Sequence, residues 1–302
     1  MATAQRKRSV HFFTGYSGGV AATLRRDGDS VLPEAARPGE DLRYLPSQAT
    51  AVLASVGGYS RGDAGDIRFG GDLLEVGRAV AEAHGDFRPA TAAARHTYGN
   101  WPENQLPAAT VVQASVEQAV IRNGGRKVAF GSVSFSMTGV TRSDSADRPV
   151  ITVQAAIEGF SIDGHSLTVR ITAREFLNTG SLDDLRLKLQ DAKFARFAKQ
   201  IIVPGGLNTH REIPRRFPKT ESVYCTVVDS IKWENPNTAP TDVSFPDRHR
   251  VVIPGWGKLI LGELLISSNT KKIAMVRAEL GSPWGGELEM VFGGENGGGW
   301  PP

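Results

Sequence analysis

Residues 110–172 read TVVQASVEQAVIRNGGRKVAFGSVSFSMTGVTRSDSADRPVITVQAAIEGFSIDGHSLTVRIT, and this stretch decides the fold. Val112, Ala114, Val116 and Val120 alternate with Gln113, Ser115 and Glu117. A period of two puts the apolar side chains on one face of a strand and the polar ones on the other. Asn123-Gly124-Gly125 supplies residues that tolerate positive φ, as a tight hairpin needs. The return strand sets Val133, Phe135 and Met137 against Ser132, Ser134, Ser136 and Thr138. Val128 and Phe130 fall on the opposite parity, so a β-bulge near Gly131 is expected to flip the register. Ile151, Val153, Ala155 and Ile157 repeat the alternation, and Gly159 precedes a second change of parity at Phe160 and Ile162. Asp163-Gly164 is a further hairpin turn before Leu167, Val169 and Ile171. The block reads as a half-buried antiparallel sheet.

Upstream, Leu73, Val76, Val80 and Ala83 follow helical spacing, with Asp72 as cap and Gly85 as stop, which predicts a helix over 72–84. Val10 to Thr14 reads as a short strand and Val20 to Arg26 as a short helix. Residues 1–109 are expected to form an N-terminal αβ or loop-rich segment, and 110–302 the β-rich core domain. Downstream, Leu182, Leu185, Leu189 and Ala192 form a stripe, with acidic residues first and basic residues last. This predicts one amphipathic helix over 182–198. Strand patterns resume at Val223 to Trp233, Arg250 to Ile253, Lys258 to Ile266, Ile273 to Leu280 and Leu288 to Phe292, and the tail from Gly293 reads as loop. The fold class is β-rich, all-β or α+β, with antiparallel sheets in a sandwich-like or barrel-like core and two packed helices.

With 302 residues, 40% hydrophobic and 22% charged, the composition suits a globular protein rather than a disordered one. The net charge of +3 is mild, and the basic clusters Arg6-Lys7-Arg8, Arg215-Arg216 and Arg248 with Arg250 are short. A nucleic-acid partner is not expected. The lone Cys225 excludes an internal disulfide and a cysteine-rich metal site, and its strand parity makes it a small buried hydrophobe. No apolar run reaches membrane-spanning length. The basic start and Val10-His11-Phe12-Phe13 are broken early by Gly15 and Ser17, so a cytoplasmic protein without a cleaved leader is expected.

Two G-x-S-x-G pieces stand out, Gly15-Tyr16-Ser17-Gly18-Gly19 and Gly58-Tyr59-Ser60-Arg61-Gly62. In a nucleophile elbow such glycines permit a cramped strand-to-helix turn that exposes the serine. Ser17 has strand-like residues before it and helix-like residues after it, whereas Ser60 runs into Asp63-Ala64-Gly65-Asp66. Either serine, with a distant histidine, would make a serine hydrolase; the other reading is two glycine turns. The histidines His11, His84, His96, His165, His210 and His249 show no metal-ligand spacing, and no phosphate or dinucleotide fingerprint occurs. No metal or cofactor is expected.

Four tryptophans adjoin Gly or Pro: Trp101, Trp256, Trp284 and Trp300. Loop tryptophans stack on sugars, anchor protein contacts, or fold back over the end of a sheet. The leading expectation is a non-enzymatic binding or assembly protein that self-associates, with these four residues at the contact surface. Its partner is a second copy or another protein, with carbohydrate as a further option. The alternative is the hydrolase.

Overall fold

The computed structural model describes residues 12–25, 44–86, 108–141, 150–171, 182–201, 222–267, 270–281 and 287–299. The chain begins with β1 (Phe12–Arg25), β2 (Tyr44–Gln48) and β3 (Ala51–Val52). Next come β4 (Gly58–Phe69), β5 (Leu74–Asp86), β6 (Ala108–Asn123), β7 (Arg126–Thr141), β8 (Val150–Glu158), β9 (Phe160–Ile162) and β10 (His165–Ile171). Two helices, α1 (Leu182–Lys188) and α2 (Ala192–Ile201), precede β11 (Ser222–Thr226) and β12 (Val228–Trp233). The chain closes with β13 (Arg250–Ile253), β14 (Gly257–Ser267), β15 (Thr270–Gly281) and β16 (Glu287–Gly299).

One sheet runs β11-β14-β15-β16-β1-β2, with β13 on β14 and β3 on β1. The other runs β12-β10-β9-β7-β6-β5-β4, with β8 on β7. All described pairings are antiparallel, and the sheets pack as a sandwich rather than a closed barrel. Phe135 of β7 and Phe292 of β16 meet between them at 5.6 Å. The boundary expected near residue 109 falls at the start of β6, whose neighbours in the same sheet are β5 and β7. No helix among the described residues is long and apolar enough to cross a membrane.

The hairpin of β6 and β7 forms as its alternation requires, with Asn123 opposite Arg126 across the turn. The expected bulge at Gly131 is absent. Glu117 faces Ser132 and Ala119 faces Phe130, so no residue is inserted. Instead three adjacent strands change their buried parity together. On β5 the buried set passes from Leu74 and Val76 to Ala79, Ala81 and Ala83. On β6 it passes from Val112, Ala114 and Val116 to Ala119 and Ile121. On β7 it passes from Val128 and Phe130 to Val133, Phe135 and Met137. The line of change runs through Asp66, Gly77, Gln118, Gly131 and Gly159, and φ is positive at Asp66 (49°), Gln118 (55°) and Gly159 (63°). A left-handed residue rolls the chain over, and its neighbours follow to keep the ladder intact.

This crease corrects the helix expected over 72–84, which is β5. The step from Val76 to Ala79 spans three residues because the parity slips there, and a strand with one slip imitates helical spacing. The helix expected at Val20 to Arg26 is also strand as far as Arg25, the second half of β1, paired with β16 and β2. The single helix expected over 182–198 is two. The first ends at Lys188, and Asp191 caps the second, its Oδ1 accepting the Phe194 N–H at 2.7 Å. Leu182 and Leu185 turn inward as the stripe requires and Leu189 is half-buried against the core, while Ala192 is exposed. The pattern from Val223 to Trp233 divides at Val227, where the chain passes from one sheet to the other. The glycine tail is strand as far as Gly299, paired with β1.

Candidate functional site

The second sheet's outward face carries a trough of about 630 Å³ across β4 to β8. Its walls are Arg61, Arg78, Glu82 and Glu117, and its floor is Gln113, Ser115, Ser134, Ser136 and Gln154 with Val80 and Ala156 beside them. Register builds the floor. Ser115 faces Ser134, Gln113 faces Ser136, and Ser136 faces Gln154. Parity points all of them outward on the same side of the crease, where Val112, Val133 and Val153 point in. The walls are paired among themselves. Arg61 lies 3.1 Å from Glu82 and 3.2 Å from Asp63, and Arg78 lies 2.8 Å from Asp63. Gln113 Nε2 donates to Glu82 at 2.5 Å. Hydrogen bonds from the Arg78 and Arg61 guanidinium groups draw the Asp63 carboxyl down to about 2. Tyr59 stands at the rim, its hydroxyl donating to Glu82 at 3.2 Å and its ring 6.5 Å from His84.

The chain also exposes a few large apolar side chains. Tyr16 is 39%, Val52 58%, Val56 82% and Tyr59 62% exposed, and Leu187 is the one other large apolar residue in this class among the described residues. Tyr16 faces Val52 in the β1–β3 pairing. The Val52 N–H donates to Ser60 Oγ at 3.2 Å, which joins this strand to β4 next to Tyr59.

The candidate serines sit in strands, not in strand-to-helix turns. Ser17 is fully buried in β1 and its hydroxyl donates to the Glu82 carbonyl at 3.1 Å, linking the two sheets. Ser60 lies on β4 and takes the Val52 N–H. Among the described residues no histidine bonds to either. His84 is beside Tyr59, His165 is 6.5 Å from Trp233, and His249 Nδ1 is 2.7 Å from Asp247. Burial outweighs the Asp247 charge and holds the His249 imidazole down at about 4, so it is neutral at physiological pH. Neither serine is expected to be labelled stoichiometrically by a fluorophosphonate probe, read by intact mass. Labelling abolished by Ser17→Ala or Ser60→Ala would reverse that reading.

Trp256 was expected at a contact surface and is instead 1% exposed, inside the core at the β13–β14 turn. Trp101, Trp284 and Trp300 lie outside the described residues. Cys225 is buried, its thiol donating to the Leu264 carbonyl at 3.4 Å and pushed up to about 12 by burial, which suppresses the thiolate. No group of three or more potential metal ligands occurs among the described residues. The trough residues had a visible signal, since their polar parity is plain in the sequence. The exposed apolar residues had a weaker one, because Tyr16 and Tyr59 lie inside the two serine motifs.

No curated protein and no solved structure matches this chain. A family model described as "Domain of unknown function (DUF8256)" matches residues 34–267, most of the chain, including every strand of the second sheet but not β1, β15 or β16 of the first. The chain belongs to that family.

Proposed function

We propose that this chain is a non-enzymatic binding or assembly protein that associates with a second copy of itself through the exposed apolar residues Tyr16, Val52 and Val56. The observation that carries this reading is that Tyr16 and Val52, cross-strand neighbours in the β1–β3 pairing, are both exposed, with Val56 four residues further along the chain also exposed. Isolated exposed apolar residues are ordinary, but a cluster of them marks a contact surface. The broad ring of Tyr16 loses little conformational freedom on contact. The contact role thus rests on these residues rather than on Trp256.

Native mass across a dilution series tests the proposal. The wild-type chain is expected to associate, and Val52→Glu with Val56→Glu is expected to weaken association by about 2 kcal/mol or more, roughly thirtyfold. Both positions are exposed, so the melting temperature should be unchanged. A wild-type chain that stays monomeric at all concentrations would sink the proposal.

A further inference from the structure

We propose that the trough on the second sheet binds a neutral polyhydroxylated chain, an uncharged polysaccharide, with Ser115, Ser134, Ser136 and Gln154 as its hydrogen-bonding floor and Tyr59 as an aromatic platform at the rim. This inference is independent of the self-association surface, with which it shares no residue.

Charge balance selects the ligand class. Two guanidinium groups and two carboxylates line the trough, so its lining is neutral as a whole. The charges are also occupied: Arg61 with Glu82 and Asp63, and Arg78 with Asp63. An anionic polymer would have to compete with these internal partners, and it would meet Glu82 and Glu117 in the same space. The floor offers groups that both donate and accept, namely serine hydroxyls and a side-chain amide. Such groups match a ligand that also donates and accepts at every position, as sugar hydroxyls do.

The geometry agrees. Serines on facing strands lie in rows about 4.8 Å apart, comparable to one sugar ring, and the trough crosses several strands and stays open to solvent along its length. An extended polymer fits that shape better than a small enclosed ligand. Tyr59 is largely exposed, and its hydroxyl is held by Glu82, so the ring is oriented while its face remains accessible.

Affinity electrophoresis of the full chain through gels containing xyloglucan, galactomannan or mixed-linkage β-glucan tests this, with polygalacturonate as the anionic comparison. Retardation by at least one neutral polymer is expected, and it should persist in high salt because no net charge drives it. Ser134→Gln fills the floor without adding charge and should weaken that retardation roughly tenfold, the effect of losing one or two hydrogen bonds. Ser115→Gln is a second variant of the same kind, and circular dichroism and melting confirm that each is folded. The inference is overturned by no retardation in any neutral gel, by retardation in polygalacturonate alone, or by neutral-polymer retardation that survives in both folded variants.

Discussion

Trp256→Ala is expected to lower folding stability by about 3–5 kcal/mol, with native mass unchanged. The ring is buried at the end of the sandwich where two turns from different sheets meet. Its indole N–H donates to the Ile121 carbonyl at 3.3 Å, and its own carbonyl accepts from Asn123 Nδ2 at 2.8 Å. Asn123 also donates to the Gly281 carbonyl at 3.0 Å. The fit is close enough that a Cβ on Gly124, where φ is +55°, would fall 1.9 Å from the Gly255 oxygen. The alanine variant leaves a cavity the turns cannot collapse into and removes the donor from a buried carbonyl. For a chain of this size, the melting temperature should drop by on the order of 10 °C. Denaturant unfolding with native mass on the same samples separates the two roles of the ring. Normal stability with weakened association would return Trp256 to a contact surface.

What the sequence showed depended on how local the deciding interaction was. The β6–β7 hairpin was legible because Asn123-Gly124-Gly125 and the alternation on both sides are local. The glycines around Trp256 marked a turn, but its partner Ile121 lies 135 residues away, so burial of the ring could not be read from its neighbours. β5 was misread because the crease is a property of the sheet. Gln118 on β6 carries the positive φ, while the parity slip on β5 occurs opposite it, at Gly77.

The serine motifs misled for a related reason. A Cβ on Gly62 would lie 2.5 Å from the Thr50 backbone, so this glycine admits a crossing segment rather than shaping an elbow. The trough was half legible. Parity gave the outward polar rows, but the pairing of Arg61 and Arg78 with acidic partners appears only once β4 and β5 are placed side by side. The neutral character of the face follows from that register and not from composition.

Lys271→Met is expected to flatten the dependence of stability on pH between pH 7 and pH 9. Lys271 lies on β15 opposite Asn296 of β16, and both are buried between the sheets. Its ammonium donates to the Ile151 carbonyl at 2.5 Å, while Asn296 Nδ2 donates to the carbonyls of Thr110 and Met137. Burial pushes the Lys271 amine down from 10.5 to about 7. The unfolded chain therefore binds this proton more readily than the folded chain. As pH falls from 10.5 to 7 the unfolded state gains a proton that the folded state declines, and stability is lost; below 7 the difference is constant. Raising the pH from 7 to 9 should thus stabilise the wild-type chain by about 2 kcal/mol relative to Lys271→Met. Cys225 acts in the opposite sense above pH 9, because its folded value lies near 12, but it is present in both chains. At pH 7 the methionine variant should be at least as stable as wild type, since an apolar side chain of similar length removes the cost of a buried charge and gives up one hydrogen bond. Denaturant midpoints measured for both chains at pH 7, 8 and 9 decide the matter. Parallel curves would mean that Lys271 titrates near its ordinary value, in contact with solvent.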